Sequence, residues 1–550
     1  MKDSWKRTLL AGGRPYVWII LTGFVLYAKT LFYGITYLDD SSWLLDYQYF
    51  LKNLSNIGLL FSRPDFLTPI FYRPVLGLSF MLDAQGSGSS PFGYHLTNVC
   101  IHLINACLVF ALFMRLGYRR GLSFFFALVF TVHPGLTMAV AWIPGRTDSL
   151  LGLFVLASFI FFLHYFERKN WLSLVTHLVF LLLGFLTKET GFVMPVICFL
   201  YIWLIDTPEG KKKKDYGLWF GWAMVLGGCL IFRKMILKGQ FSDAGVVWAM
   251  KSIHQDVSGF IFYLGKAILP LTLSVVPIRP DVKLTSGIVS LMILVLVILV
   301  GRKKRMNHVF FGLIWFFLFL IPGVIHYFVI HEYRVYLPLI GCLIVFMEGI
   351  NVGLSDIQPS HNRKVLFLSA GFIILLFSMT FIQSRHLKNG LAFWRNAVKT
   401  SPSYPLAHRN LGAMYYFENR MDEAEAAYKK SLELNPYEPM VHNNLGIIYM
   451  NKNKDQEAEK EYKTEIAINP GFEKAYANLA LLYYRKGRPH EAVFLWKKTI
   501  DLNPNYFEAY LSLVIYYMEQ GQRERAVDYV EQMQKRGGVV PVEILRQLHL

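Results

Sequence analysis

The sequence predicts an all-α protein: a polytopic bundle of transmembrane helices followed by a solenoid of short helical hairpins. Three observations predict this class. The 550 residues are 54% hydrophobic and 16% aromatic, a more apolar composition than water-soluble chains of this length carry. Apolar runs of 17 to 22 residues recur between Tyr16 and Ser384, long enough to cross a hydrocarbon core as helices. After about residue 386 the composition turns polar and a 34-residue period begins.

The apolar runs place spans near 16–37, 96–114, 121–140, 149–166, 171–187, 191–206, 216–236, 284–301, 309–325, 335–352 and 365–384, eleven in all. A twelfth apolar stretch, Gly259 to Val276, contains Lys266 and Pro270 and is predicted to be re-entrant or interfacial. The first run lacks a small-residue cleavage pattern and reads as an uncleaved signal-anchor. Cys100, Cys107, Cys198, Cys229 and Cys342 all fall inside apolar segments, so no metal knot or disulfide framework is expected.

Charge sets the orientation. The net charge is +18, yet residues 401–550 hold 19 Lys/Arg against 20 Asp/Glu, leaving 37 against 18 in residues 1–400. That excess lies in short loops: Lys2/Lys6/Arg7/Arg14, Arg115/Arg119/Arg120, Arg168/Lys169, Lys211 to Lys214, Arg302 to Arg305 and Arg363/Lys364. Basic short loops mark the cytoplasmic side. A nucleic-acid partner is not expected, because it would want the charge on one soluble face. The opposite side then receives the long polar loop of about residues 38–93, the loop at 140–148, the turn at 187–190, the loop at 326–334 and the C-terminal region.

In that region Pro402, Pro436, Pro470 and Pro504 lie 34 apart, as do Leu411, Leu445, Leu479 and Leu513, and Ala424, Ala458, Ala492 and Ala526. This pattern resembles the tetratricopeptide repeat, four units in phase. Each unit is a helical hairpin that cannot bury its apolar face alone and stacks on its neighbours. Such stacks hold extended peptides or act as spacers. Gly537-Gly538 and the apolar tail beyond them suggest a capping helix. The expected division is 1–385 for the membrane domain, 386–403 for a linker and first helix, and 404–550 for about four repeats.

Chemistry concentrates on the non-cytoplasmic side. Asp39 and Asp40 end the first span, where a carboxylate reaches both a lipid-anchored and a soluble molecule. The same side holds Arg73, His95, His133, Arg146, Asp148, Lys188, Glu189, Glu332, Arg334 and Tyr336. Ionisable groups at span ends are costly unless paired or functional. Snorkelling would bring Lys and Arg without the carboxylates beside them. Taken singly, each motif also reads as a solvated charge or a structural ion pair; together they describe a polar cavity. Asn98, His102 and Asn105 share one face of the second span and read as interhelical hydrogen-bonding groups.

The ordered motifs Leu38-Asp39-Asp40, Tyr72-Arg73-Pro74-Val75, Gly93-Tyr94-His95-Leu96-Thr97-Asn98, Val132-His133-Pro134-Gly135, Gly145-Arg146-Thr147-Asp148, Lys188-Glu189-Thr190-Gly191 and Glu332-Tyr333-Arg334-Val335-Tyr336-Leu337-Pro338, with the repeats behind them, resemble the transmembrane and tetratricopeptide-repeat protein O-mannosyltransferases. More broadly, they resemble the GT-C glycosyltransferases. The resemblance implies a GT-C-like bundle and an inverting transfer of a hexose such as mannose from a polyprenyl- or dolichyl-phosphate carrier. The acceptor is a hydroxyl, foremost Ser or Thr of a protein docked on the repeats. Asp39 or Asp40 would be the base, and the cations would bind the donor phosphate. Mg²⁺ or Mn²⁺ at the two aspartates is an option rather than a requirement. The expected setting is a bacterial inner membrane with periplasmic repeats, or the endoplasmic reticulum with lumenal ones. Competing readings are a glycolipid or polysaccharide acceptor, a non-enzymatic membrane-anchored scaffold, and a transporter. The last would place charges nearer mid-span.

Overall fold

The computed structural model describes residues 10–205, 215–237, 257–300, 304–324, 330–350 and 361–549. Lys2, Lys6, Arg7, Lys211 to Lys214, Arg302, Lys303 and residues 326–329 of the expected non-cytoplasmic loop lie outside them. Among the described residues every regular element is a helix, apart from an isolated β-bridge at Ile278. Two compact units result, Met1–Ser401 and Pro402–Leu550.

In the first unit, five helices are long and apolar enough to cross a membrane: Arg14–Phe32, Pro91–Arg115, Ile143–Arg168, Tyr216–Leu237 and Lys364–Leu387. A sixth candidate is the pair Arg120–Thr131 and Pro134–Ala141, bent by 48°. Its break falls at His133-Pro134, because proline lacks the amide donor and disfavours helix in the residue before it. The other apolar helices run 10–17 residues and include Ser258–Ile268, the segment expected to be re-entrant, which stops just before Pro270. The chain is an integral membrane protein. Helices Met306–Val324 and Pro338–Ile350 pack closely through Gly312 and Gly341. A Cβ on Gly312 would lie 2.7 Å from the Gly341 carbonyl oxygen, so only small residues let these backbones approach.

The expected polar loop after the first span is mostly helical. Short helical turns cover Asp39–Ser62, and a 14-residue helix, Pro74–Ser87, follows. Pro74 sits in its first turn, where a missing N–H costs nothing. The helix buries Val75, Leu76, Phe80, Met81 and Ala84, so hydropathy averaged over the whole segment concealed it.

The repeat unit consists of four helical hairpins, Pro405–Phe417 with Met421–Leu434, Val441–Asn451 with Asp455–Ile468, Glu473–Arg485 with Pro489–Leu502, and Phe507–Glu519 with Arg523–Lys535. The short helix Val542–Gln547 ends the stack. Ala424, Ala458, Ala492 and Ala526 are fully buried. Gly412 and Gly446 face the rings of Tyr428 and Tyr462, which an added Cβ would meet at 2.7 and 2.5 Å. This accounts for the recurring Asn-Leu-Gly.

Candidate active site

The first span ends in a 3₁₀ turn, Ala28–Phe32, and the chain then runs to Thr36, a hydrogen-bonding hub. The Thr36 backbone N–H and hydroxyl donate to Asp40 Oδ2 at 2.6 and 3.0 Å, and Leu38 N–H donates to Asp40 Oδ1 at 3.2 Å. The Thr36 hydroxyl in turn accepts from Trp142 Nε1 at 3.1 Å. Tyr37 between them takes a φ of +57°, a left-handed conformation that a tyrosine holds only when its surroundings impose it.

These bonds separate the two aspartates. Asp40 is 1% exposed, and its oxygens are occupied in fixing the turn. Burial raises its pKa while the Thr36 and Leu38 donors oppose the rise. Asp39 has an open face, yet surrounding protein removes enough water, with help from Asp40 and Asp65, to raise it to about 6. A carboxyl near 6 can both take and hold a proton near neutral pH.

Three cations of the same unit are held in ion pairs. Arg73 Nε and Nη2 donate to Glu189 Oε2 at 3.1 and 2.7 Å, and Arg233 engages Glu189 Oε1. Burial would raise Glu189, but Arg73 and Arg233 outweigh it and hold the carboxyl at about 2. Lys188 Nζ meets Asp148 Oδ2 at 2.6 Å. Burial lowers the Lys188 pKa against the pull of Asp148, with Arg334 and Arg73 adding to the lowering. Tyr333, half-buried, is within electrostatic reach of Arg334, Asp148, Asp39 and Arg73 at once. Its ring lies 5.8 Å from that of Trp142 and from Lys188 Nζ. Asp39, Asp148, Lys188, Arg73 and Arg334 therefore lie around one tyrosine, with Glu189 bound to Arg73.

Other residues expected at the cavity lie elsewhere. Arg146 is fully buried, its guanidinium engaged by Asp83 at 2.5 Å, Asn98 Oδ1 at 2.6 Å, the Tyr94 carbonyl at 2.7 Å and Ser79. Gly145 precedes it because a Cβ there would sit 2.1 Å from the Met138 carbonyl oxygen. His133 is buried, with Nδ1 accepting from Gly135 N–H and Nε2 facing the Ala267 carbonyl at 3.1 Å. The Tyr336 hydroxyl lies 2.9 Å from His102 Nδ1 and 3.0 Å from Asn105 Nδ2, inside the interhelical network expected for Asn98, His102 and Asn105. Glu332 pairs with Lys266 at 2.7 Å and accepts from Ser274 N–H; burial raises its pKa and Lys266 opposes. His95 is buried near Tyr33, with ring centroids 6.4 Å apart. Arg146, His133, Tyr336 and Glu332 are structural, because buried polar groups near membrane depth are satisfied within the protein; the ring nitrogens of His95 are buried without being satisfied in this way.

Among the described residues no group of three His, Cys, Asp or Glu could hold a metal ion. Both Asp40 oxygens accept hydrogen bonds from the Thr36–Leu38 turn.

Sequence reading missed Arg233 and Asp65. Arg233 is a basic residue in the last turns of an apolar helix, which is a signal in its own right. Asp65 lay in a segment read as loop; its Oδ1 accepts from Leu67 and Thr68 N–H, both at 3.0 Å.

Comparison with known proteins fits this layout. Models of the tetratricopeptide repeat match residues 405–438, 427–460 and 473–506. The chain is 25% identical over 424 residues to the human protein O-mannosyl-transferase TMTC1, covering 65% of this chain and 47% of that one. It is 25% identical over 394 residues to the Caenorhabditis elegans protein O-mannosyl-transferase F38B6.6, covering 65% and 53%. The chain is a relative of the transmembrane and tetratricopeptide-repeat protein O-mannosyltransferases. A further member, the Drosophila melanogaster protein O-mannosyl-transferase Tmtc1, is 31% identical over 201 residues, covering 35% of this chain and 23% of that one. The chain spans about half or less of the length of these family members.

Proposed function

We propose that this chain is an integral-membrane, inverting glycosyltransferase. It moves a hexose such as mannose from a polyprenyl- or dolichyl-phosphate carrier to a Ser or Thr hydroxyl of protein, on the non-cytoplasmic side. The observation that carries the reading is the unequal aspartate pair: Asp40 locked into the turn, Asp39 open and raised to about 6, with Tyr333 between it and the paired cations.

In the proposed step an Asp39 carboxylate oxygen accepts the acceptor hydroxyl's proton while the hydroxyl's own oxygen bonds to the anomeric carbon. The bond from that carbon to the phosphate oxygen breaks, and its electron pair leaves with the lipid phosphate. The products are the inverted O-glycoside, the lipid phosphate and protonated Asp39. Arg73, Arg233, Lys188 and Arg334 stabilise the developing negative charge in a site of reduced dielectric. Glu189 holds Arg73 and Arg233, and Asp148 holds Lys188, until the donor arrives. Phosphate leaves readily, so no separate general acid is assigned.

The test is transfer of labelled sugar from polyprenyl-phosphate-mannose by reconstituted protein. Asp39→Asn should insert normally and abolish transfer; wild-type activity in that variant would end the proposal. Label appearing in lipid instead of a Ser/Thr-bearing peptide would retain the chemistry and reassign the acceptor.

A further inference from the structure

The segment before the repeats, expected to be a linker and first helix, carries a helix packed on the first unit. Asn389 caps it by accepting from Ala392 N–H at 2.9 Å. The helix Gly390–Thr400 then buries Gly390, Phe393, Trp394, Asn396 and Ala397. These positions follow a helical spacing, so one face is docked along its length. Fully buried Trp394 donates from Nε1 to the Thr36 carbonyl at 3.0 Å. Just before the helix, the Lys388 carbonyl accepts from Gly34 N–H at 2.9 Å.

The same helix grips the opposite wall. Asn396 Oδ1 accepts from Val275 N–H at 3.2 Å, Thr400 Oγ1 lies 2.6 Å from Ser274 Oγ, and Ser401 Oγ donates to the Val276 carbonyl at 2.7 Å. Ser274 N–H in turn donates to Glu332 at 3.0 Å, next to Tyr333 and Arg334. A single strap thus ties the Thr36–Asp40 turn to the segment that carries the cavity's tyrosine.

We propose that Trp394 is a positioning residue for sugar transfer: its indole N–H fixes the Thr36 carbonyl, and Thr36 fixes the turn that aims Asp39 at the acceptor. The proposal rests on the glycosyltransferase reading above. Thr36 has three partners from three parts of the chain, Asp40, Trp142 and Trp394, and Tyr37 beside it is held in a left-handed conformation. Releasing one anchor lets the turn relax, and a shift of about 1 Å in a reacting group costs up to about a hundredfold in rate. The groups facing Asp39 are Asp40, Asp65 and Tyr333; the strap reaches it only through Thr36.

The experiment uses the full chain in vesicles with polyprenyl-phosphate-mannose and a Ser/Thr peptide, measuring kcat and donor KM against pH. Trp394→Phe removes the N–H donor and keeps most of the volume. It should lower kcat about tenfold, leave donor KM within about twofold, and move the acid limb of kcat to lower pH as Asp39 gains water. Thr36→Val, which lacks the hydroxyl, should do the same and supplies the readout if Trp394→Phe fails to fold. The double variant should be no worse than the more severe single one, because both act through one turn. An unmoved acid limb in both variants, or multiplying losses, would overturn the proposal. Asp39→Asn run alongside separates the two ideas. If it is inactive while Trp394→Phe matches the parent, only the strap fails; if it is active, the base assignment and the strap fail together.

Discussion

At the scale of single residues, the neighbouring aspartates differ because one is saturated with donors and the other is not. Asp39 carries a pKa of about 6, against about 3.9 for an aspartate in an unfolded chain. Its ionised form is therefore disfavoured by folding. That cost is fully present above pH 6 and gone below about pH 4. Asp39→Asn should raise the thermal midpoint of the detergent-solubilised protein at pH 8, with the gain vanishing by pH 4, while removing transfer. Wild-type kcat should climb with pH through a midpoint near 6, since the base must be ionised. A profile flat between pH 5 and 7 would separate Asp39 from the rate. Glu189 obeys the opposite sign. Held at about 2 by Arg73 and Arg233, it stabilises the fold above its ordinary range. Glu189→Gln should cost about 2 kcal/mol at pH 7 by leaving two guanidinium groups under-paired, read as a lower midpoint in thermal unfolding.

At the scale of elements, the bundle relies on positions where a side chain does not fit. The Gly145 turn starts the helix Arg146–Arg168, which brings Asp148 to Lys188. Gly145→Ala would drive a Cβ against the Met138 backbone, a rigid neighbour. The expected cost is about 2 kcal/mol, together with reduced transfer as the Asp148–Lys188 pair shifts; an unchanged thermal midpoint would argue against it. How legible these elements were depended on their pattern. The apolar runs were readable because each is a continuous stretch with charges only at its ends. Helices Pro74–Ser87 and Gly390–Thr400 were not, since both mix polar and apolar residues and owe their burial to neighbours distant in sequence. Asp39 and Lys188 both lie near Tyr333. Arg146, His133 and Tyr336 bear equally polar side chains in equally ordered motifs, and lie in the interior instead. A motif shows that a residue is placed with care. It does not show whether that care serves a wall or an opening.

At the scale of the whole molecule, each of the two units has an apolar core of its own. The repeat unit buries its alanines, leucines and tyrosines in contacts between successive hairpins, the arrangement expected of stacked repeats. Residues 404–550 expressed alone should therefore be soluble and strongly helical by circular dichroism, with one cooperative thermal transition. A largely unfolded product would mean that the first unit completes the core.

The sequence by itself determined what short-range periodicity encodes: the apolar runs, the sign of charge in their loops, the 34-residue step of the repeats, and which ends of the apolar runs carry both carboxylates and arginines. Each of these follows from a local rule, bilayer thickness or helical pitch, that needs no knowledge of distant neighbours. Tertiary structure alone decided which aspartate is free and which is locked, that Arg233 joins Arg73 on Glu189, that Arg146 turns inward, and that Trp394 reaches Thr36 across 358 residues of chain. Desolvation and hydrogen-bond saturation are properties of a surrounding volume, and that volume is filled by residues far apart in the sequence.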